Sequence, residues 1–289
     1  MILLTGGSGV LGFAIRETAQ REGIEVLAPT HAEFDVTNLD RCREWLVNRN
    51  GLHALINCAA VTDWNLCHRD PGRCFSINAI GAWNIAQLAK EYILYCIQVS
   101  TDAVFDGEYV EGGNAEDGVA KNPCSVYGIA KLTAEHLVRE VAGRFLIARI
   151  GWLFGADPRS DQKFVGAILR QAEHSAEVKA VDDKWGSLTY TLHAATKLLH
   201  YCQAQPSGIR HLVNQGIVSR YEVAQAVLDL WSPTTRLQRV TSNVFPSVVQ
   251  RPTFVGMRSL YQDAILPTWK EALREHFETW SHQIPRLSR

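Results

Sequence analysis

The run Thr5-Gly6-Gly7-Ser8-Gly9-Val10-Leu11-Gly12 follows the apolar stretch Ile2-Leu3-Leu4 and leads into an amphipathic segment. Glycines at a strand-to-helix junction serve distinct purposes. One permits a tight turn, one lets backbone approach a bulky anion, and one lets helix pack closely on strand. The helix N-terminus at such a junction presents N–H groups without intrahelical partners and a partial positive charge, which together hold a pyrophosphate. Gly7, Gly9 and Gly12 satisfy one spacing of the dinucleotide fingerprint, and Gly6, Gly9 and Gly12 satisfy the related one. Gly6, Ser8, Gly9, Val10 and Leu11 are therefore the expected cofactor contacts.

The surrounding pattern supplies the fold. Strand-like runs at 2–5, 25–28, 54–57, 95–100 and 146–150 alternate with helical stretches at 9–22, 38–47, about 71–91 and 125–141. Thr37 with Asp40 three residues on reads as a capping box, Pro71 suits a first helical turn, and Ser125 reads as an N-cap. Strand and helix alternating in this way imply βαβ units and a parallel sheet. The expectation is an α/β protein with a Rossmann-type doubly wound parallel sheet over residues 1–150. Beyond Gly151 the texture changes to helices at 163–176, 192–203 and 221–230, short strands at 178–181 and 211–214, and irregular Trp- and Pro-containing segments. This half, 151–289, reads as a smaller C-terminal substrate-binding domain with segments that return to the main sheet.

Bulk properties exclude several classes. A formal net charge of -1 leaves no overall electrostatic footprint for nucleic acid or an anionic membrane. No apolar run approaches the length of a membrane span, and no charged leader precedes the first strand, so a cytoplasmic protein is expected. The seven cysteines form no C-x-x-C pair, and Cys67, His68 and Cys74 lack a fourth ligand at zinc-like spacing, so no metal is expected.

The chemistry centres on Tyr127 and Lys131. Four residues apart at the start of a helix, they share one face and can enter one cleft. A free phenol titrates near 10. A neighbouring ammonium is expected to lower that value, so that the phenol can protonate a carbonyl oxygen as hydride reaches the carbon. Upstream, a strand ends in Ser100-Thr101-Asp102. The carboxyl ends of parallel strands are where such sheets place ligands. Thr101 is the expected partner of the substrate carbonyl, with Ser100 as the second choice for that role and as a cofactor contact.

The second strand sets cofactor choice. An acidic residue at its end would hold a ribose 2′-hydroxyl, but this region reads Ala28-Pro29-Thr30-His31. Nothing there repels a 2′-phosphate, and Thr30 or His31 can donate to one. NADP(H) is favoured, with NAD(H) as the other option.

These features together resemble the extended short-chain dehydrogenase/reductase family, and within it the reductases of nucleotide-linked 4-keto sugars. The resemblance runs through Gly6 to Gly12, Phe34-Asp35-Val36-Thr37, Ile56 to Thr62, Asn78, Ser100 to Gly107, and Val126-Tyr127-Gly128 with Lys131. It continues through Trp152 to Gly155, Val181 to Ser187, His211 to Asn214, and Arg251-Pro252. It implies adenine contacts from Asp35 and Val36, and ribose and phosphate contacts from Cys58, Ala59, Ala60 and Thr62. Lys131 would also hold the nicotinamide ribose, and Trp152 would line the sugar pocket. The implied reaction is reduction of a 4-keto group on a nucleotide-activated 6-deoxyhexose, whose pyrophosphate suits Lys163, Lys184 and Arg251.

Departures from the family pattern fall on the substrate side: Ala103 for tyrosine, Gly151 for a small hydroxyl residue, Lys163 for asparagine, Lys184 for glutamine and Leu188 for proline. Two alternatives stay open. One is a non-catalytic NADP-binding regulatory subunit resembling the beta subunit of methionine adenosyltransferase. The other is a nucleotide-sugar epimerase or dehydratase. A homodimer is compatible with the sequence.

Overall fold

The computed structural model describes residues 1–155 and 161–280. Strand β1 (Ile2–Thr5) runs through the glycine loop into α1 (Val10–Glu22), and β2 (Val26–Leu27) precedes α2 (Leu39–Leu46). After β3 (Ala54–Asn57) come α3 (Trp64–Arg69), α4 (Pro71–Phe75) and α5 (Gly81–Glu91). Then follow β4 (Tyr95–Thr101), α6 (Val126–Val141) and β5 (Phe145–Ile150). The second half holds β6 (Trp152–Phe154), α7 (Phe164–His174), β7 (Glu177–Val181), β8 (Trp185–Gly186), β9 (Leu188–Tyr190), α8 (Thr191–Ala204) and β10 (Gly208–Leu212). It continues with β11 (Asn214–Gln215), β12 (Val218–Ser219), α9 (Arg220–Trp231), β13 (Arg236–Val240), β14 (Leu266–Thr268) and α10 (Trp269–Trp280).

Six strands form one parallel sheet in the order β10-β5-β4-β3-β1-β2. Alternate side chains of each strand face opposite layers. Ile2, Leu4, Ile56 and Ile97 pack with Leu11 and Ile15 of α1 and Leu198 and Leu199 of α8. Leu3, Leu55 and Cys96 pack on the other face with Leu46, Ile85, Leu88, Ala134 and Val138. The sheet is doubly wound, and the segment 191–212 returns to it from the second half. A separate cluster, with Phe154, Ile168, Val223, Leu228 and Phe277 among its members, binds α7, α9 and α10 around β6 and β9. Among the described residues, no helix is long and apolar enough to cross a membrane.

Three local expectations are corrected. Asn38, rather than Thr37, caps α2, accepting from the Arg41 N–H at 3.1 Å, because the helix starts one residue later, at Leu39, while the Thr37 side chain turns back to donate to Asp35 at 2.8 Å. The helix expected from Pro71 to Glu91 is interrupted by a π-helical turn at Ser76–Ile80. That turn aims Asn78 at the loop after β3, where its amide accepts from the Val61 N–H at 2.7 Å and donates to the Val61 carbonyl at 2.9 Å. The strand expected at 211–214 is instead split between β10 and β11.

Candidate active site

The glycine loop lies at the carboxyl end of β1, between β2 and β3. Gly6 adopts φ +69°, and a Cβ there would stand 2.6 Å from the Cys58 carbonyl carbon. A Cβ on Gly12 would stand 2.2 Å from the Gly6 oxygen, so α1 can seat on the loop only without a side chain at that position. Gly9 caps α1 with no side-chain hydrogen bond, which leaves the first-turn N–H groups available to an anion. Beneath the loop, Asn57 ties three strands together. It accepts from the Thr5 hydroxyl at 2.5 Å and the Ala59 N–H at 3.2 Å, and donates to Gln98 at 2.7 Å. These residues fit a dinucleotide phosphate: the space is one that side chains would fill, and it lies at the uncapped N-terminus of α1.

Toward the far end of that crevice, Thr30 spends both its N–H and its hydroxyl on Glu33, at 2.8 and 2.7 Å. A carboxylate thus folds back beside the second strand, which the local sequence did not suggest. His31 is exposed and lies 3.8 Å from Asp35. Asp35 is engaged by Thr37, and Val36 is buried, with its carbonyl accepting from Asn84 at 2.9 Å. The Arg16 side chain passes along the loop, with its Cδ 3.5 Å from where a Gly7 Cβ would stand. Cys58, Ala59 and Ala60 are half-buried beside the loop, and Thr62 is exposed.

On the opposite wall, β4 and α6 bring Thr101, Tyr127 and Lys131 together. Ser125 caps α6 by accepting from the Gly128 N–H at 3.1 Å. Gly128 permits the approach of α6 to the turn that follows β4, since a Cβ there would stand 2.2 Å from the Ala103 oxygen. Tyr127 is 8% exposed, has the Thr101 hydroxyl near enough to act on its phenol, and has the Trp64 ring 5.6 Å away between centroids. The Lys131 ammonium donates to the Val99 carbonyl at 2.7 Å. It is also close enough to the Cys58 thiol to act on it electrostatically, which connects α6 to the residue that Gly6 abuts.

The electrostatics differ from expectation at the phenol. Burial pushes the Tyr127 pKa up, the Thr101 hydrogen bond works against that rise, and the Asp102 charge adds to it. Lys131 is turned to the Val99 carbonyl and is itself brought down to about 8 by burial, partly offset by Glu135. In this state, therefore, burial outweighs the Thr101 contribution and the phenol holds its proton more firmly than a free one.

Ser100 points away from the crevice. Its hydroxyl donates to Glu135, which also receives Arg149 through two hydrogen bonds at 2.9 and 2.7 Å. The period-2 alternation of a strand places Ser100 and Thr101 on opposite faces, so only one of the two can face the substrate. Ser100 thus braces α6 against β4 and β5 from below.

The substrate wall comes from the second half of the chain. Arg220, at the start of α9, lies 3.6 Å above the Trp152 ring centroid and 4.5 Å from that of Phe164. Sequence reasoning missed this arginine, although the adjoining Ser219-x-x-Glu222 capping box marks where its helix begins. Arg251 sits 5.1 Å over Trp64, and Lys184 donates to the Arg251 carbonyl at 2.9 Å, so the Lys184 ammonium braces this loop. Lys163 is half-buried at the head of α7, its N–H given to Asp161 at 2.7 Å.

A parallel sheet in this order, with the glycine loop and the Tyr127–Lys131 helix face converging at its carboxyl edge, has the architecture of the extended short-chain dehydrogenases/reductases. The chain falls in that class. Within it, the chain belongs to the RmlD substrate binding domain family, whose model matches residues 1–281. It is 31% identical over 262 residues to a dTDP-4-dehydrorhamnose reductase of Mycobacterium tuberculosis, covering 89% of this chain and 84% of that one. The structure is similar to that of a dTDP-4-dehydrorhamnose reductase from Clostridium acetobutylicum, with TM-score 0.90, 30% identity, and 97% and 99% of the two chains covered. It is also similar to the Bacillus anthracis dTDP-4-dehydrorhamnose reductase in complex with NADP, with TM-score 0.88, 26% identity, and 96% and 98% covered.

Proposed function

We propose that this protein is an NADPH-dependent reductase of the 4-keto group of a nucleotide-activated 6-deoxysugar, acting as the dTDP-4-dehydrorhamnose reductases do. The observation that carries this reading is the buried Thr101–Tyr127 pair, with Lys131 behind it, at the strand end that borders the glycine loop. The similarity to reductases of that name, one of them bound to NADP, supports the same conclusion.

The α1 N-terminus, with Gly6, Ser8, Gly9, Val10 and Leu11, holds the pyrophosphate through backbone N–H groups. Arg16 and His31 face the 2′-phosphate end, where the donors expected of Thr30 are instead taken by Glu33, and Asp35 and Val36 flank the adenine. Cys58, Ala59, Ala60 and Thr62 follow the riboses. The bound cofactor supplies the hydride that reaches the ketone carbon. Tyr127 gives its proton to the keto oxygen, and its burial keeps that proton in place until the oxygen becomes basic. Thr101 orients the same oxygen, while Lys131 holds the nicotinamide ribose and favours the phenolate left behind. Trp152, stacked on Arg220, forms the sugar wall, and Lys163, Lys184 and Arg251 lie on the side where the sugar's pyrophosphate would sit.

The test is NADPH oxidation by the purified protein with a panel of dTDP- and UDP-linked 4-keto-6-deoxysugars. Turnover with at least one is expected. Cofactor binding with no turnover on any of them would point instead to a binding subunit.

A further inference from the structure

The Thr101 hydroxyl is asked for more than one proton can give. It accepts from the Ala103 N–H at 3.2 Å, lies near enough to the Tyr127 phenol to act on it, and directs its own proton to Asp102 Oδ1 at 3.0 Å. A hydroxyl has a single donor. While Asp102 is ionised, that donor stays with the carboxylate, and a keto oxygen arriving at Thr101 meets lone pairs.

Asp102 is poorly placed to stay ionised. The residue is 7% exposed, and its Oδ2 is buried without a hydrogen-bond partner. A buried carboxylate with one bare oxygen is costly, and protonation removes most of that cost. The charged and titratable groups facing it are Arg220 from α9 and Tyr127 from α6, with Arg251 beyond Arg220. Arg220 favours the ionised form but is held against the rings of Trp152 and Phe164. Burial wins over the Thr101 bond and the Arg220 charge, and lifts the carboxyl to about 7.

We propose that Asp102 is a positioning residue that acts through Thr101. When its carboxyl is protonated, Asp102 donates to Thr101 Oγ1, and Thr101 is released to donate to the keto oxygen. When it is ionised, the bond across Thr101 reverses and the oxyanion loses a donor. This rests on the reductase reading above and deepens it with a regulated hydrogen-bond direction at the same site. Arg220 thereby gains a second role: its charge sets the pH at which the direction switches.

The experiment is the pH profile of kcat/KM for keto-sugar reduction by wild type, Asp102→Asn and Arg220→Met. The wild type should lose about tenfold per pH unit above a point near neutrality, as expected for one essential protonated group. Asn keeps the size of Asp and can donate to Thr101 at every pH. Asp102→Asn should therefore be flat through neutrality and fall only where the Tyr127–Lys131 pair titrates. Arg220→Met removes the facing cation and should move the limb upward by roughly one pH unit. That shift reads the switch even if Asp102→Asn does not fold. A limb unchanged in both variants, or a wild type with none near neutrality, overturns the proposal while leaving the reductase reading intact. No turnover by wild type at any pH removes the reductase reading itself, and this proposal with it.

Discussion

The Lys131 ammonium donates to the Val99 carbonyl at 2.7 Å, fastening a helix-borne charge to the strand that ends in Thr101. The bond stands in a fully buried setting, where a free ammonium would be expensive.

That burial predicts a trade between function and stability. The Lys131 pKa falls from 10.5 to about 8 on folding, so between those values the unfolded chain binds the extra proton. Stability contributed by this group therefore rises with pH across that window and is at its lowest below it. Lys131→Met should abolish turnover yet be more stable at pH 7, by up to about 3 kcal/mol on the linkage scale. Its advantage over wild type should shrink from pH 8 to 10, a comparison in which the titration of the buried thiols cancels. Denaturant melts of both proteins check this, and an advantage that grows with pH contradicts it.

The glycine loop predicts a graded series. Gly12→Ala would put a methyl 2.2 Å from the Gly6 oxygen, whereas at Gly9 the nearest atom is 3.4 Å away. Gly12→Ala should cost about 1–3 kcal/mol of stability, in the range of overpacking, and abolish measurable NADPH binding. Gly9→Ala should fold normally and bind more weakly. Thermal melts and fluorescence titrations with NADPH read both effects.

The Arg149–Glu135 pair is buried, with both side chains 3% exposed. Arg149→Met leaves the carboxylate shared only with Ser100, which should cost about 3–5 kcal/mol. Equilibrium unfolding in urea measures the loss, and a change under 1 kcal/mol would show that the pair is dispensable.

Arg16 predicts cofactor discrimination. Its stem borders the loop beside Ala28, the position from which a guanidinium can meet a 2′-phosphate. Arg16→Ala should weaken NADPH binding by about tenfold or more and leave NADH binding nearly unchanged, as for loss of one charge-assisted bond. Equal losses for both cofactors would remove the assignment.

Much of the nucleotide half was legible in the sequence because each signal there is local. The glycine loop, Ser125 as a cap and the Tyr127–Lys131 spacing all act within a single turn or helix. The π turn was not legible, since it exists to deliver Asn78 to Val61, a contact 17 residues away. Glu33 turning back to Thr30 was readable in principle as a Thr-x-x-Glu pattern, but without a helix following it the signal had no context. The second half was read poorly for a physical reason. Strands of two or three residues, such as β8 and β12, carry no periodicity, and their pairing is decided by tertiary contact. Helix α10 was missed, although Thr268 and Glu271, whose capping box closes at 2.7 to 3.3 Å, mark where it begins. Arg220 and Asp102 were invisible as a facing pair because they lie far apart in the chain and meet only across the assembled cleft.

The most direct test is reduction of a dTDP-linked 4-keto-6-deoxysugar by NADPH, measured for wild type and Tyr127→Phe alongside cofactor affinity. Wild type should turn over, and the variant should lose about 100- to 10,000-fold in kcat while binding NADPH within a few-fold of wild type, as expected when only the proton donor is removed. A Tyr127→Phe protein that reduces the sugar at the wild-type rate would contradict the account.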